Sequence, residues 1–231
     1  MRNFIKIGIV CFFILVIFLT GGCGSNALFD YARQNVSEIR NNLFIGKSEN
    51  IIVSFSSGER EKNYVIDGKS GENTEFGVFS VIVLNDNKYE TKRSFVANIN
   101  QVDYSGTFEV NPYDKTLLFD IGIKFEDDAQ ISISVILDEI YETIQLENVS
   151  QTWNIDCFDA VEVACKKLQS ELKRYIKEKN LTMEIYVKIL FDIENLENPY
   201  FWLVTFTGND EKEVSVVIDV STGEVLSKKN I

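Results

Sequence analysis

The first part of the chain after residue 23 has apolar residues at every third or fourth position, a spacing typical of an amphipathic helix. Between residues 26 and 44 these positions are Leu28, Ala32, Val36, Ile39 and Leu43. Asn26 precedes them and belongs to a residue type that commonly caps the amino end of a helix. The spacing therefore predicts one long helix over residues 26–44.

From residue 51 to residue 137 the apolar period changes to two, which is the period of a half-buried strand. The strand-like runs are separated by short polar stretches such as SSGEREK and NPYDK. Because no connection is long enough for a helical crossover, we expect antiparallel neighbours in a meander or sandwich. Core packing is the favoured role of the phenylalanines that recur in these runs. They are Phe55, Phe79, Phe95, Phe108, Phe119 and Phe125.

A second helical pattern begins at Asp156, which can cap it, and Asn180 is a plausible end. Its apolar positions are Val161, Cys165, Leu168, Leu172 and Ile176. Three strands follow, and the last two are predicted to pair through the loop GNDEK. Their inward faces are predicted to be Trp202, Val204 and Phe206 on one strand, and Val214, Val216 and Ile218 on the next.

These patterns predict an α+β fold. It would comprise an N-terminal helix plus an antiparallel β meander or sandwich, followed by a small helix-on-antiparallel-sheet domain. We expect three segments: a signal peptide at 1–22, a helix plus antiparallel β domain at 23–150, and an α+β domain at 151–231.

The amino terminus carries a targeting pattern. Arg2 and Lys6 precede the apolar run IGIVCFFILVIFL, and small residues follow it. This is the layout of a secretory signal. A retained transmembrane anchor would need about 20 apolar residues, more than this run provides.

The residues Thr20, Gly21, Gly22 and Cys23 resemble the lipobox of bacterial lipoproteins, although Thr20 stands where leucine is usual. An ordinary signal peptide with an incidental cysteine is the alternative. The resemblance implies that Cys23 becomes the lipidated first residue, so that the membrane is a partner through a lipid anchor on the extracytoplasmic face. Two or more acyl chains give stable anchoring.

The strands WLVTF and VSVVID and the turn STGEVL resemble the carboxyl half of a PepSY domain, and the likeness spans residues 156–229. The matching positions are Trp202, Val204, Phe206, Asp219, Thr222, Gly223 and Glu224. The family has no catalytic residues to transfer. The resemblance implies inhibition or regulation of peptidases. We expect the carboxyl-terminal sheet to be the interaction surface, because an exposed sheet edge can accept an extended peptide or a peptidase segment as an added strand.

Charge and composition exclude several function classes. The chain has 23 basic and 35 acidic side chains, and loss of residues 1–22 would remove Arg2 and Lys6, leaving a net charge of −14. Nucleic acid is not expected as a partner, because its binding depends on neutralising phosphates. The chain has no histidine, which excludes histidine-based nucleophile systems and His-ligated metals. No disulfide is expected between Cys157 and Cys165, which would stand about 12 Å apart on one helix.

Acidic clusters and one lysine are the remaining candidates for chemistry. Glu126, Asp127 and Asp128 lack the spacing of a calcium loop and are expected to form a solvated turn. Asp138, Glu139 and Glu142 are expected on a surface helical turn. Lys69 in DGKSGE lacks the spacing of a phosphate loop, so a hairpin tip is expected there.

We therefore expect a lipid-anchored binding or regulatory module of the cell envelope that is not an enzyme, needs no cofactor or metal, and has a possible protein or peptide partner. A carboxylate-dependent envelope hydrolase and a purely structural envelope lipoprotein are the alternatives.

Overall fold

The computed structural model describes residues 23–63, 65–84, 92–138, 140–192, 199–210 and 212–230. The helices of this part of the chain are α1 (Cys23–Arg33), α2 (Cys157–Lys167) and the single turn α3 (Gln169–Leu172). The strands are β1 (Val36–Lys47), β2 (Ile51–Glu61), β3 (Asn73–Val83), β4 (Arg93–Ile99), β5 (Val102–Thr107), β6 (Glu109–Val110), β7 (Leu117–Ile121), β8 (Ile131–Leu137), β9 (Ile140–Asn148), β10 (Ile176–Lys177), β11 (Asn180–Leu181), β12 (Met183–Phe191), β13 (Tyr200–Gly208), β14 (Glu213–Asp219) and β15 (Val225–Asn230).

Thirteen of these strands form one mixed sheet. Its main path runs in the order β15, β14, β13, β12, β1, β2, β3, β7, β6. A branch leaves β1 and continues through β9, β8, β4 and β5. The short strands β10 and β11 pair separately as a hairpin.

The strand β1 connects the two halves of this sheet. One edge of β1 pairs with β2 in antiparallel fashion. The other edge pairs first with β12, in parallel, and then with β9, antiparallel. Ile39 lies opposite Val187 of β12, whereas Ile45 lies opposite Glu147 of β9. The strands β12 and β9 therefore separate from each other alongside residues 40–43 of β1. We call this place the fork.

Two apolar cores lie on either side of the fork. One is rich in phenylalanine and is formed by β1–β5 and β7–β9 together with the connections that follow β5 and β7. Its ring pairs include Phe55 with Phe79, with centroids 4.6 Å apart, and Phe79 with Phe95 at 5.5 Å. All six phenylalanines expected in a core belong to this one or pack against it, so that prediction is confirmed. Burial of apolar rings is the main stabilising contribution here.

The second core lies between the helices and the strands β12–β14. Leu28 and Ala32 of α1 and Ala164 of α2 are buried in it, together with Trp202 and Phe206 of β13. The predicted inward faces of β13 and β14 are confirmed, because Trp202, Val204, Phe206, Val214, Val216 and Ile218 are all buried.

The predicted α+β fold, with its N-terminal helix, antiparallel β meander or sandwich, and small helix-on-antiparallel-sheet domain, is wrong. The described chain is mostly β-structure in one large mixed sheet with short helices. The sequence pattern could not reveal the parallel pairing of β1 with β12, because the partners are about 150 residues apart. That pairing also joins both sides of residue 150 in one sheet, and the division into 23–150 and 151–231 stays a prediction.

The predicted helix over residues 26–44 is also wrong, because the helix ends at Arg33 and the strand β1 follows. The pairing of β1 is irregular between Val36 and Glu38 against β12, and between Arg40 and Asn42 against β2. A β-bulge adds one residue to the period of two. Apolar positions in this strand are therefore three apart in places, which imitates the period of a helix.

The second predicted helix is shorter than expected. Asp156 caps α2 as predicted, since its Oδ1 accepts hydrogen bonds from the backbone of Phe158 and Asp159. However, α2 ends at Lys167, and Ile176 already belongs to β10. The predicted pairing of β13 with β14 is confirmed.

Candidate functional site

A cavity of about 330 Å³ opens at the fork of β1. We call it the fork groove. Its lining residues come from β1, the connection that follows β7, the segment between β9 and α2, the start of α2, and β13. They are Asn41, Asn42, Asp127, Ser150, Gln151, Trp153, Ile155, Asp156, Cys157, Phe158 and Trp202.

Local backbone structure places the polar side chains of the groove. Asn41 is the extra residue of the β1 bulge, and the neighbouring Asn42 donates a hydrogen bond from Nδ2 to the carbonyl of Phe125, at 3.0 Å. A 3₁₀ turn, Ser150–Thr152, follows β9. Gln151 of this turn donates from Nε2 to the carbonyl of Asp127, at 2.8 Å. The bulge and the turn therefore bring two distant segments to one opening.

Two tryptophans form the aromatic part of the groove. Trp202 is 1% exposed, and its Nε1 donates to the carbonyl of Ile155 at 2.9 Å. Trp153 meets it edge to face, with ring centroids 5.3 Å apart and planes at 88°. Trp153 also lies against Tyr200, at 5.6 Å. These two contacts pack the ring of Trp153 against the second core.

Two polar atoms of residues that line the groove are buried without a hydrogen-bond partner in the described part of the chain. They are Oδ1 of Asn41 and Nε1 of Trp153. Leaving such an atom unpaired costs about 1–3 kcal/mol. Most buried polar atoms in proteins are paired, so each exception calls for an explanation. A ligand that supplies one acceptor and one donor would satisfy both atoms.

The charged side chains that line the groove are acidic, and the guanidinium of Arg33 lies beside it, over the ring of Phe158 at 4.9 Å from the centroid. Asp127 and Asp156 line the groove, and the lining residues include neither lysine nor arginine. Asp156 already serves as the cap of α2 through its Oδ1. An anionic ligand is therefore disfavoured by charge repulsion.

The cysteines of α2 are not activated nucleophiles. Burial raises the pKa of the Cys157 thiol to about 12, and the nearby carboxylate of Asp156 adds to the effect. Burial likewise raises the pKa of Cys165 to about 12. With pKa values near 12, both thiols remain neutral at physiological pH. Because the thiolate is the reactive form, neither residue is an activated nucleophile.

The buried carboxylate of Glu184 holds the loop between β2 and β3 against β12, on the other side of β1 from β2. We call the contacts of Glu184 and Asn35 with this loop the loop lock. Glu184 of β12 is fully buried, and its Oε1 accepts hydrogen bonds from the backbone of Asp67 and Gly68, at 2.7 and 2.9 Å. Its Oε2 accepts from the hydroxyls of Tyr186 and Ser37, at 2.6 and 3.3 Å. All these bonds come from the protein itself, so Glu184 has a structural role.

A second carboxylate, Glu61, lies beside this lock. Its Oε1 accepts a hydrogen bond from the backbone of Gly71, and its Oε2 is buried without a partner in the described residues. Burial raises the pKa of Glu61, and the negative charges of Glu184 and Asp67 add to the rise, while hydrogen bonding from the backbone of Gly71 and from Ser37 opposes it in part. Asn35 completes the lock, because its Oδ1 accepts from Ser70 while its Nδ2 donates to the carbonyl of Gly68.

The predicted site residues do not meet at one place. Cys23 is the first residue of α1, and its lipidation stays a prediction. The preceding residues 1–22 lie outside the described part of the chain. Lys69 belongs to the loop between β2 and β3, as expected for a hairpin connection. The predicted solvated turn at Glu126, Asp127 and Asp128 is a connection between β7 and β8, and of these three residues only Asp127 lines the fork groove.

The helical turn expected around Asp138 is wrong. Asp138 forms the tight turn between β8 and β9, and Glu142 lies in β9. Glu142 accepts hydrogen bonds from Ser48 and Asn50, which ties β9 to the turn between β1 and β2. Glu139 lies outside the described residues.

The edge strand β15 carries features that discourage the addition of another strand. It bears Lys228 and Lys229, and its register against β14 is irregular next to Leu226. Charged edges and bulges are common protections against unwanted strand pairing. Lys228 is also paired with Glu171, which lowers the pKa of that carboxyl to about 2. The fork groove is therefore the better candidate site.

Sequence reasoning missed this groove, because its residues are scattered over four segments. The one local signal was a tryptophan in the irregular stretch QTWN just before a helix cap. In the described residues, no group of three His, Cys, Asp or Glu side chains comes together as a metal site. None of the helices within those residues is long and apolar enough to span a membrane. No protein family model, curated protein or solved structure matches the chain.

Proposed function

We propose that this protein is a lipid-anchored binding module on the extracytoplasmic face of a bacterial membrane, and that it takes its ligand in the fork groove. In this role it performs no catalysis. The observation that carries the proposal is the pair of buried, unpartnered atoms in an aromatic groove, Oδ1 of Asn41 and Nε1 of Trp153. Ligand sites combine apolar walls with a few such polar groups.

The position of Cys23 supports the anchor. It is the first residue of α1, and Leu28 of the same helix is already buried in the core. A lipid on Cys23 would therefore hold the folded body close to the membrane surface. Without residues 1–22 the chain has a net charge of −14, so anionic head groups do not attract it. The lipid therefore supplies the attachment.

The state of the candidate catalytic groups supports a non-enzymatic role. Both oxygens of Glu184 accept hydrogen bonds from the protein, and Asp156 caps a helix. The thiols of Cys157 and Cys165 are held neutral. The PepSY-like resemblance, whose family has no catalytic residues, is consistent with binding or regulation. The buried pair Glu61 and Glu184 lies beneath a docked loop rather than in the fork groove, so it gives the hydrolase alternative no particular support.

The anchor is tested by expressing the full chain in a bacterium supplied with labelled palmitate. We expect label on the wild-type protein, and we expect Cys23→Ser to lose both the label and the membrane fraction. Cys11→Ser is the matched control, because it removes the cysteine of the apolar run that precedes Cys23 and should change neither result. Unchanged labelling of Cys23→Ser would refute the anchor.

The binding role is tested through intrinsic fluorescence. The chain has two tryptophans, and both line the fork groove. Size-fractionated digests of bacterial envelope are titrated into the full-length protein in detergent. We expect at least one fraction to change the emission in a saturable way, and we expect Asn41→Ala to weaken that response. A flat response to every fraction would contradict the proposal.

A further inference from the structure

The fork groove presents more hydrogen-bond acceptors than donors. Apart from Oδ1 of Asn41, it is lined by the carboxylates of Asp127 and Asp156. Gln151 uses its Nε2 to donate to a backbone carbonyl, which leaves its carbonyl oxygen as a further acceptor. The Nε1–H of Trp153 is a buried donor without a partner in the described residues, and the amide N–H groups of Asn41 and Gln151 are further donors of the lining. Such a set fits a ligand that is rich in hydroxyl or N–H donors.

We infer that the fork groove binds a neutral N-acetylated amino sugar, an inference that rests on the proposed binding role of this groove. The hydroxyls of the sugar donate to the carboxylates and to the amide oxygens. Its acetamido group supplies one N–H and one C=O. These match the acceptor of Asn41 and the donor of Trp153, the two buried atoms of groove-lining residues that have no partner among the described residues.

The apolar surfaces of the groove fit the ring of such a sugar. A pyranose has a flat face of C–H groups, and Trp153 offers an aromatic ring to it. Phe158 also lines the groove, with one face of its ring against the guanidinium of Arg33. The volume of about 330 Å³ lies at the lower end of the range of small-molecule sites. Trp153 is already held by Trp202 and Tyr200, so its ring needs little ordering when a ligand binds.

The charge of the groove selects against acidic ligands. Its two carboxylates and its lack of lining lysine or arginine disfavour a phosphate, a free carboxylate or an acidic sugar. A neutral peptide shares the amide group but offers few hydroxyls to the acceptors. The acetamido sugar therefore meets more of the polar groups of the groove than a peptide does.

The unpartnered atoms are themselves covered, so a ligand reaches them only when the groups that cover them move aside. Asn41 lies at a bulge, where its backbone is not held in a regular ladder. The hydrogen bonds gained then offset the cost of an unpaired buried group. This cost is present in the free protein and disappears in the complex.

Calorimetry with four probes tests the inference on the full-length protein in detergent. The probes are diacetylchitobiose, cellobiose, fully deacetylated chitobiose and a blocked neutral dipeptide. Cellobiose has the same rings and linkage with a hydroxyl in place of the acetamido group. We expect diacetylchitobiose to bind at least tenfold more tightly than each of the other three. Equal or tighter binding of cellobiose, the deacetylated sugar or the dipeptide would overturn the inference.

Variants locate the binding. Trp153→Phe keeps an aromatic ring but removes Nε1–H, and Asn41→Ala removes the acceptor. Each is expected to weaken diacetylchitobiose binding by about tenfold, the value of one hydrogen bond of ordinary strength. Tyr141→Phe removes a polar atom from an exposed ring on β9, outside the groove, and should leave binding unchanged. Binding that survives both groove variants would place the sugar elsewhere and overturn the inference.

The two proposals fail in different ways. If envelope digests change the tryptophan emission but diacetylchitobiose does not bind, the groove is a ligand site and the sugar is wrong. If neither the digests nor the four probes bind, the binding role itself is refuted.

Discussion

Trp153 meets Trp202 edge to face at 88°, and among the described residues only Trp202 has a partner for its indole N–H. The two residues therefore differ in what they contribute. Trp202 belongs to the core and is 1% exposed, whereas Trp153 stands at the opening with Nε1 unpaired. Trp202 supports the fold, and Trp153 retains a covered indole N–H to which a ligand can bond.

This difference predicts unequal effects on stability. Trp202→Ala should lower the free energy of unfolding by about 3–5 kcal/mol, because it leaves a cavity and an unpaired carbonyl on Ile155. Trp153→Phe should cost less than about 1.5 kcal/mol, since Nε1 has no bond to lose. Urea unfolding followed by circular dichroism measures both values. Equal losses would show that Trp153 is also a structural residue.

The loop lock predicts a sensitive glycine. Gly68 has a φ of +81°, and an added Cβ would stand 2.8 Å from the carbonyl oxygen of Thr182. Gly68→Ala should therefore destabilise the protein by about 1–3 kcal/mol. The matched control is Gly122→Ala, where the added Cβ meets nothing within 4 Å. Thermal unfolding of both variants decides the point, and equal melting temperatures would contradict it.

The raised pKa of Glu61 predicts a dependence on pH. Its folded pKa lies above its unfolded value, so the stability linked to this group is present at low pH and is lost as pH rises through the folded pKa. Ionised Glu61 thus disfavours the fold at neutral pH. Glu61→Gln should equal or exceed the stability of the wild type at pH 7, and this advantage should shrink as the pH falls toward 5.

Urea unfolding over that pH range measures the effect of Glu61→Gln. Glu75→Gln, which removes an exposed carboxylate from the adjacent strand β3, corrects for the change in net charge. An advantage that stays constant with pH, or grows on acidification, would be inconsistent with a raised pKa at Glu61.

The buried cysteines predict slow thiol chemistry. Because burial holds the pKa values of Cys157 and Cys165 near 12, neither thiol should react with Ellman's reagent at pH 8 in the folded protein. Both should react once urea unfolds the chain. The Cys11→Ser, Cys23→Ser double variant is used, so that no cysteine other than Cys157 and Cys165 contributes. Fast reaction of a native thiol would indicate an activated cysteine.

The sequence predicted local features well where one segment determines them. The STGE turn after β14 is set by such local residues, because Asp219 accepts from the backbone of Ser221 and Thr222, and Gly223 takes a φ of +72°. The cap at Asp156 is another local feature. Both depend on residues within four positions of one another, so residue types alone reveal them.

The sequence failed where distant segments meet. The bulges of β1 disguise a strand as a helix, and its partners β12 and β9 cannot be read from its own pattern. The fork groove inherits this difficulty, since Asn41, Asp127, Trp153 and Trp202 come together only after the sheet forms. The lock of Glu184 on the loop at Gly68 likewise joins residues 116 positions apart.

The most direct measurement is the heteronuclear NMR spectrum of the two indole N–H groups during titration with diacetylchitobiose. Trp202 serves as an internal reference, because its N–H is already bonded to Ile155. We predict that the Trp153 indole signal moves progressively and gains protection from solvent exchange, while the Trp202 signal moves far less. A titration to saturating sugar that leaves the Trp153 signal in place would contradict the account.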